Sequence, residues 1–322
     1  MKTIAFFNSK SGIGKTTLVY HLAWMYAELG LNVVVADLDP QANLTSMFLE
    51  EDRLEELWPD GDHPQSILGT ISPILKGHGD ILEPHLEQIT EKISLIVGDL
   101  ELFLFEKPLS EAMNCNDANE LTFLTLSAFY RTLLAAASSQ QADVVLIDIS
   151  PSLSAINMAA LIATEYLVIP LKPNQFYRFE LNNIRWCLHH LKEKWPFNHK
   201  NSMVNINLPT AHKQAVGYVI LQSHPRETRW MDIPHVFRQT ILNENIENPP
   251  TVAQDSYCLA TYPYYWSLIQ MATEARKPMF HLKPADGAMG ASALAVKDCY
   301  KEFKQLALNL ANACTIPMVN ND

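Results

Sequence analysis

A short loop between an apolar strand and a helix places the strongest constraint on the fold of this chain. Residues 4–7 (Ile-Ala-Phe-Phe) predict a buried strand, and residues 10–17 are Lys-Ser-Gly-Ile-Gly-Lys-Thr-Thr, where a helical pattern begins. Glycine is scarce, with 11 in 322 residues, so two glycines at this spacing indicate a required backbone geometry. In such a loop, backbone N–H groups converge on an anion, and the helix N-terminus adds a partial positive charge. The pattern therefore predicts an anion-binding turn after the first strand.

The side chains of this loop indicate a phosphate ligand. Lys15 can reach the outer phosphates of a nucleotide, and the Thr16 hydroxyl can ligate Mg²⁺. The usual phosphate-loop pattern would have glycine at position 9, where this chain has Ser9, but the Gly-x-Gly-Lys-Thr core of residues 12–16 is present. A second lysine, Lys10, is not needed to bind a triphosphate. The alternative is a flexible turn beside two surface lysines, which the strand-loop-helix context disfavours.

Short apolar runs alternate with helical patterns along the chain. Continuous apolar strands are typical of a parallel sheet with helices on both faces. The first helix should bury Leu18, Leu22, Met25 and Leu29 and end at Gly30. Right-handed crossovers then predict an α/β fold with a doubly wound, mostly parallel sheet that binds ligands at its C-terminal edge. The predicted strands are residues 4–7, 33–36, 93–97, 144–147, 166–171 and 216–221.

Composition limits the class of protein. The chain is 48% hydrophobic, which allows a substantial core. No stretch approaches the ~18 consecutive apolar residues of a membrane span, and the N-terminus predicts a strand rather than a secretory leader. The five cysteines are scattered without paired spacing, which favours reduced thiols in a cytoplasmic protein over a zinc or iron–sulfur site. The net charge of −11 would repel nucleic acid unless a local basic patch overcomes it.

Three carboxylates follow predicted strands. Asp37 and Asp39 alternate at the end of the second strand, so both should lie on one face near the ligand crevice. Asp148 follows the apolar residues 144–147 in the same way. Mg²⁺ keeps several waters and tends to be held by one or two carboxylates plus phosphates. A lone aspartate here would more often cap a strand, but together with the loop these residues predict a site for a magnesium-bound nucleotide.

These motifs together resemble the ParA/MinD family of ATPases, whose phosphate loop is of the deviant Walker A class, and the ParA branch most closely. The resemblance rests on the two-lysine loop, on residues 37–44 (Asp-Leu-Asp-Pro-Gln-Ala-Asn-Leu) and on residues 148–153 (Asp-Ile-Ser-Pro-Ser-Leu). Residues 168–173 (Val-Ile-Pro-Leu-Lys-Pro) resemble the strand that follows the Walker B turn. The motifs occur in the family's order over most of the chain. The resemblance implies a P-loop NTPase fold, with residues 1–322 as one ATPase domain, and ATP and Mg²⁺ as cofactors.

The resemblance also implies roles for individual residues. Lys15 would bind the β- and γ-phosphates, and Thr16 would ligate Mg²⁺. Asp148, the Walker B acid, would hold the hydration shell of the metal, with Asp37 nearby, and Asp39 would position the attacking water. The implied nucleotide-binding set is Lys10, Ser11, Gly12, Ile13, Gly14, Lys15, Thr16 and Thr17.

Lys10 matches the signature lysine of the family, which crosses a dimer interface to contact the nucleotide of the partner subunit. A cation supplied in trans neutralises charge that develops on the transferred phosphoryl group. The resemblance thus implies an ATP-dependent homodimer, with Lys10, Lys15 and Asp39 as the catalytic residues. The family usually has glycine where this chain has Ser11. If that position requires a positive φ, serine would cost about 1 kcal/mol.

The ParA branch typically binds DNA without sequence preference as an ATP-bound dimer, and a partner protein stimulates hydrolysis. Residues from about 291 to 313 predict a C-terminal amphipathic helix with Leu294, Phe303, Leu306 and Leu310 inward. This helix would carry a basic stripe able to neutralise phosphates, formed by Lys297, Lys301 and Lys304. A solvated face with ion pairs is an equal alternative, because Asp298 and Glu302 are interleaved. Basic residues within 185–200 are a weaker candidate for DNA contact, and Arg226 and Arg229 would lie near the nucleotide or the dimer face.

A peripheral insertion is predicted between the second and third strands, at about residues 46–92. Residues 50–62 carry seven carboxylates and one arginine, and the residues that follow contain several prolines and glycines. This composition favours a solvated surface segment.

Three other functions are alternatives to that of a cargo-positioning ATPase. A membrane-cycling ATPase would need a basic C-terminal anchor, but residues 313–322 contain no basic side chain, so stable membrane association is not expected. A small-molecule enzyme on the same fold would not need Lys10. An ATPase that regulates a secretion, membrane or defence assembly without DNA binding stays open. The expected location is the cytoplasm, with the nucleoid as its site if DNA is bound.

Overall fold

One central sheet organises the protein. The computed structural model describes residues 1–77, 79–115, 119–194, 214–222, 232–244, 250–263 and 265–318. The described strands are β1 (Lys2–Phe6), β2 (Val33–Asp37), β3 (Glu87–Thr90), β4 (Ile93–Ile96), β5 (Val144–Asp148), β6 (Tyr166–Leu171), β7 (Gln214–Gln222) and β8 (Cys258–Pro263). They form one sheet in the order β3-β4-β2-β5-β1-β6-β7-β8. Every neighbouring pair is parallel except β3 and β4.

Helices connect the strands and cover the sheet. In the described residues they are α1 (Lys15–Glu28), α2 (Asn43–Phe48), α3 (Glu51–Leu57), α4 (Ile67–Leu75), α5 (Glu106–Asn114), α6 (Glu120–Leu126), α7 (Ala128–Ser139), α8 (Ala155–Ile162), α9 (Tyr177–Lys194), α10 (Ile233–Phe237), α11 (Trp266–Ala275) and α12 (Ala291–Ala313). A π-helical turn, Arg238–Leu242, follows α10. Among these helices, no single one is long and apolar enough to cross a membrane, although α6 and α7, which meet at a 59° bend, reach that length and composition as a pair.

Alternate residues of β1 belong to two separate cores, one on each face of the sheet. Ala5 and Phe7 lie in the core that includes residues of α4 to α9, whereas Ile4 and Phe6 lie in the core with α1, α11 and α12. This alternation is what a strand buried on both faces requires. The predicted doubly wound, mostly parallel α/β fold is therefore confirmed.

The sequence does not predict the two edge strands. β3 has the sequence Glu-Gln-Ile-Thr and is only partly buried, so it lacks the apolar run that marks the inner strands. Among the described strands β8 pairs only with β7, and it buries Leu259 and Tyr262. An edge strand forms hydrogen bonds with a neighbouring strand on one side only and is less buried than an inner strand. Its composition is therefore a mixture of polar and apolar residues.

The segment between β2 and β4 matches the predicted solvated insertion only in part. The acidic part in and around α3 is largely exposed, and Arg53 pairs with Glu56 at 2.6 Å and Glu87 at 2.9 Å. Helix α4, however, buries Ile67 and Ile71 in one of the two cores. The prediction of a solvated segment is therefore wrong for α4. Its apolar stripe at helical spacing is interrupted by glycine and proline, which obscured it.

Helix α12 buries one continuous stripe along its length. The buried residues include Val296, Cys299, Phe303, Leu306 and Leu310. Leu294 is 63% exposed, so the prediction that it faces inward is wrong. Leu294 lies two positions before Val296. At 3.6 residues per turn, two positions correspond to a rotation of about 200°, which places Leu294 on the other side of the helix.

A buried histidine joins α1 to α12 and to the turn before it. The Nδ1 atom of His21 lies 2.7 Å from the carbonyl oxygen of Thr17, and the backbone N–H of Met279 donates to Nε2 at 2.9 Å. The ring stacks on Phe303 with a centroid distance of 4.9 Å. Because Nε2 accepts a hydrogen bond, Nδ1 carries the proton and the ring is neutral. Burial lowers the pKa of His21 from 6.5 to about 4.

We expect this histidine to make the free energy of unfolding depend on pH. Between pH 6.5 and pH 4 the unfolded chain binds a proton at His21 that the folded chain does not. Stability is therefore full above pH 6.5 and falls by about 3 kcal/mol as the pH drops through 4. Denaturant unfolding of wild type and His21→Gln at pH 7 and pH 4.5 measures this, and His189→Gln, at an exposed histidine, is the matched control. An equal pH dependence in wild type and His21→Gln would contradict the assignment.

Candidate nucleotide-binding site

The predicted phosphate loop lies between β1 and α1. Gly12 and Gly14 have φ values of 69° and 81°, in the left-handed region that favours glycine. A Cβ atom on Gly14 would also lie 3.2 Å from Cδ1 of Leu221. Ser11 does not have a positive φ, so the backbone cost considered for serine there does not arise.

Lys15 lies inside the loop, with 6% of its surface exposed. Its Nζ donates to the carbonyl oxygen of Lys10 at 3.3 Å. Burial lowers the pKa of Lys15, while the negative charges of Asp148 and Asp39 oppose that shift. The lysine is therefore held among the predicted carboxylates, where it can also contact an anion.

Strand register brings Asp37 and Asp148 together. β2 and β5 are neighbours in the sheet, and Asp37 pairs directly with Asp148 at their C-terminal ends. The Thr16 hydroxyl donates to Oδ2 of Asp148 at 2.7 Å, whereas Oδ1 is buried without a hydrogen-bond partner among the described residues. Burial raises the pKa of Asp148, and repulsion by Asp37 raises it further.

This arrangement fits a Mg²⁺ ion that is held mainly by other ligands. A cation would satisfy the buried Oδ1 of Asp148 and offset the repulsion between the carboxylates. The described residues contain no group of three or more His, Cys, Asp or Glu side chains that could hold a metal by themselves. Mg²⁺ suits such a site because it takes phosphate oxygens and waters as most of its ligands.

Asp37 uses both of its oxygens to hold the loop that follows β2. Oδ1 accepts from the backbone of Asp39 at 3.2 Å, and Oδ2 accepts from both the backbone and the hydroxyl of Thr45 at 2.8 Å. The Thr45 hydroxyl in turn accepts from the backbone of Gly98 at 2.9 Å. A Cβ on Gly98 would lie 2.8 Å from Cγ of Asp37, so the packing requires glycine there. Through these contacts, Asp37 fixes the position of the loop that carries Asp39.

Asp39 is 4% exposed, and its Oδ1 accepts from the backbone of Gln41 at 3.0 Å. Burial raises the pKa of Asp39, while Gln41 and Lys15 act to lower it. The carboxylate lines the same cavity as the phosphate loop, and it interacts electrostatically with Lys15. Asp39 can therefore accept a proton or a hydrogen bond from a water in that cavity.

Lys10 occupies a different environment from Lys15. Its Nζ lies 3.3 Å from Oε1 of Glu180 and 5.8 Å from the centre of the Phe176 ring, and its side chain is 37% exposed. Glu180 is buried in α9, and its other oxygen accepts from Asn8 at 3.1 Å. Sequence reasoning missed Glu180. Its signal was an acidic residue on the buried stripe of a helix, three residues after Tyr177.

A cavity of about 660 Å³ extends from the phosphate loop. Loop residues 11–17 and Asp39 form one part of its wall. Side chains that sequence reasoning did not assign to the site form the rest, among them Leu221, Tyr262, Tyr265, Ile269 and Arg276. This part of the wall is largely apolar, which suits a nucleoside next to bound phosphates.

The loop after β5 is held by neighbouring side chains that the sequence did not mark. The buried Asn157 amide donates to the carbonyl oxygens of Ser150 and Ser152, each at 2.6 Å. The Glu106 carboxylate accepts from the backbones of Ala155 and Ile156 at the start of α8. These contacts fix the segment that follows Asp148.

The predicted DNA-contacting lysines lie apart from this site. Lys297, Lys301 and Lys304 are exposed on α12, and none lines the cavity. Lys301 is 3.4 Å from Asp298, the kind of ion pair that the alternative interpretation expected. Residues 195–200, Arg226 and Arg229 are outside the described residues.

The sequence of this chain is similar to those of known proteins. The family model described as "AAA domain" matches residues 1–203. The sporulation initiation inhibitor protein Soj of Bacillus subtilis is 29% identical over 197 residues, which cover 59% of this chain and 67% of Soj. Protein IncC of Escherichia coli is 30% identical over 172 residues, which cover 53% of this chain and 41% of IncC. The chain spans about half the length of the curated relatives it matches, from 41% to 62% for four of them.

Solved structures share the fold. A variant of Cyanothece McdA in complex with ATP aligns over 99% of this chain and 98% of its own, with a TM-score of 0.65 and 15% identity. The matched family model covers more than half of the chain. The protein therefore belongs to that family, and relatives such as Soj and IncC identify it as a member of the ParA/MinD type of P-loop ATPases.

Proposed function

We propose that this chain is a slow, switch-type ATPase of the ParA kind, which dimerises around ATP and separates after hydrolysing it to ADP and phosphate. The observation that carries the proposal is the separation of the two loop lysines. Lys15 is buried beside the carboxylates, whereas Lys10 is partly exposed and paired with Glu180. One lysine is placed to hold phosphates, and the other is available to a partner subunit.

Within one subunit, the backbone N–H groups of residues 11–17 and the Lys15 ammonium would bind the phosphates. Thr16 and Asp148 would hold Mg²⁺, which when bound supplies positive charge at the transferred phosphoryl group. Asp39 would orient the attacking water. Asp37 would hold the Asp39 loop in place through its contacts with Thr45 and the Asp39 backbone, at the edge of the metal site.

Between subunits, Lys10 would exchange one anion for another. Its ion pair with Glu180 is partly exposed, and such pairs contribute little to stability, about 0–1 kcal/mol. The γ-phosphate of a partner's nucleotide carries more charge than a carboxylate and can compete for the lysine. ADP lacks this group, so the exchange would make dimerisation depend on ATP.

The dimer would bind DNA without sequence preference, and a partner protein would stimulate hydrolysis, so that DNA or protein cargo is positioned. The family membership and the Soj- and IncC-like relatives support this reading. Lys297, Lys301 and Lys304 are one exposed surface that could contact DNA. We further propose that residues 1–322 act as a single ATPase domain in the cytoplasm or on the nucleoid, with 46–92 as an insertion and without stable membrane association.

An ATPase that regulates a protein assembly without binding DNA is the second candidate. The net charge of −11 and the exposed acidic residues of α3 favour it, because both oppose contact with a polyanion. A small-molecule enzyme on this fold would have no use for Lys10.

Replacing Lys15 by alanine should remove nucleotide binding. The ammonium is the buried cation of the loop, and a hydrogen bond to a charged group is worth about 1.5–3 kcal/mol, so we expect a loss on the order of 100-fold. Fluorescent ATP binding measures this, with Lys107→Ala as the matched control, because Lys107 is 84% exposed. Retained affinity in Lys15→Ala would show that the loop does not bind phosphate as assigned.

Replacing Asp39 by alanine should trap an ATP-bound dimer. The variant keeps Lys10 and Lys15 but loses the carboxylate that orients water, so hydrolysis stops while dimerisation continues. Light scattering with ATP should report a dimer for Asp39→Ala and a monomer for the double variant Asp39→Ala/Lys10→Ala. A monomeric Asp39→Ala protein that still binds ATP would contradict the switch.

DNA binding should require ATP and decrease with salt. Fluorescence anisotropy of a duplex of arbitrary sequence can be measured with ATP or ADP at 50 and 200 mM salt, using Asp39→Ala to prevent turnover. Salt-sensitive binding with ATP alone is the expected result. Absence of binding in every condition would favour the assembly regulator instead.

A further inference from the structure

Helix α9 carries a basic stripe that sequence reasoning did not resolve. Its buried residues include Tyr177, Leu181, Ile184 and Leu191. The residues one position later are all exposed, and three of them are basic: Arg178, Arg185 and Lys192. Together with the exposed His189, one turn after Arg185, they are called the α9 basic stripe here. From Arg178 to Lys192 the stripe extends about 21 Å along the helix axis.

The α9 basic stripe borders a groove on the side of the molecule where β7 and β8 begin. The groove has a volume of about 800 Å³, and Arg185, His189 and Lys192 form one wall. The opposite wall includes neutral polar side chains of the π-helical turn and the segment before β8, among them Thr240, Asn243 and Ser256. None of the described residues that line the groove is acidic.

Acidic residues are interleaved with the lysines of α12 but do not line this groove within the described residues, although Lys297 and Lys304, like Arg185 and Lys192, have no carboxylate partner there. On α12, Lys301 pairs with Asp298, and Glu302 lies on the same helix and accepts from Tyr265. On α9, His189 is 3.5 Å from Glu193, but Arg185 and Lys192 have no carboxylate partner among the described residues. In a chain of net charge −11, two cations without a carboxylate partner, beside a groove with no acidic residue in the part of the chain that the structure describes, form a local site for an anion.

We propose that the α9 groove contacts the phosphate backbone of DNA in the ATP-bound state. This inference rests on the DNA binding proposed for the family function and assigns it to a surface. The cations on the groove wall, from Arg185 to Lys192, extend about 10 Å along the helix. This favours a polyanion over a single phosphate, because duplex DNA presents a charge about every 3.4 Å along each strand. Hydroxyl and amide groups on the opposite wall can donate to phosphate oxygens without reading sequence.

A matched pair of variants tests the assignment. Arg185→Gln/Lys192→Gln and Lys297→Gln/Lys304→Gln each remove two exposed cations that lie seven residues apart on one helix. For the α9 variant we expect the slope of log affinity against log salt to fall by about 1.8, and affinity at 0.1 M salt to drop on the order of 10- to 100-fold. The α12 variant should keep most of its slope, and Arg185→Lys/Lys192→Arg should bind as wild type.

Duplex anisotropy with ATP, in the Asp39→Ala background, gives the slopes, and fluorescent ATP binding and thermal melting show whether each variant is folded and loaded. A wild-type slope in a folded Arg185→Gln/Lys192→Gln protein would overturn the assignment to α9 and leave the proposed function intact. So would an equal loss in both variants, which would indicate a general effect of charge. No DNA binding by the parent protein would overturn both proposals.

Discussion

Three buried carboxylates around one lysine set the conditions for everything else at this site. Asp37 and Asp148 are fully buried and paired by strand register, while Asp39 and Lys15 are 4% and 6% exposed. Burying charges of one sign together is costly, and a single lysine cannot offset three aspartates. Burial raises the pKa of each aspartate, and repulsion between carboxylates raises the pKa of Asp37 and Asp148 further. A bound cation would favour their ionised forms, so the fold holds a site that is more stable when filled.

The two lysines of the loop lie in different environments. Lys15 is committed to the carboxylates and to the carbonyl oxygen of Lys10. It cannot also reach outward. Lys10 is held by Glu180 through one partly exposed ion pair, and this weak contact can be exchanged at little cost.

The sequence predicted the parts of this protein that depend on local pattern. Strand ends fix the positions of Asp37, Asp39 and Asp148, and the glycine spacing fixes the loop, so these residues could be placed without coordinates. Glu180 and Tyr265 could not, because their roles depend on which helix packs beside the loop. Leu294 shows the same limit, since the side of α12 that is buried depends on which elements pack against the helix. Helix α4 was missed because its glycine and proline hide a helical stripe.

Helix α9 connects the two halves of the proposed mechanism. Its first turn contains Glu180, which holds Lys10 beside the phosphate loop, and its later turns carry Arg185 and Lys192 beside the groove. Over 18 residues the helix is about 27 Å long and packs along one buried stripe. When Lys10 turns to a partner's nucleotide, Glu180 would lose its ion pair and keep its hydrogen bond with Asn8, and a shift of the helix in response would displace the groove. The ATP dependence of DNA binding would then arise within each subunit as well as from dimerisation.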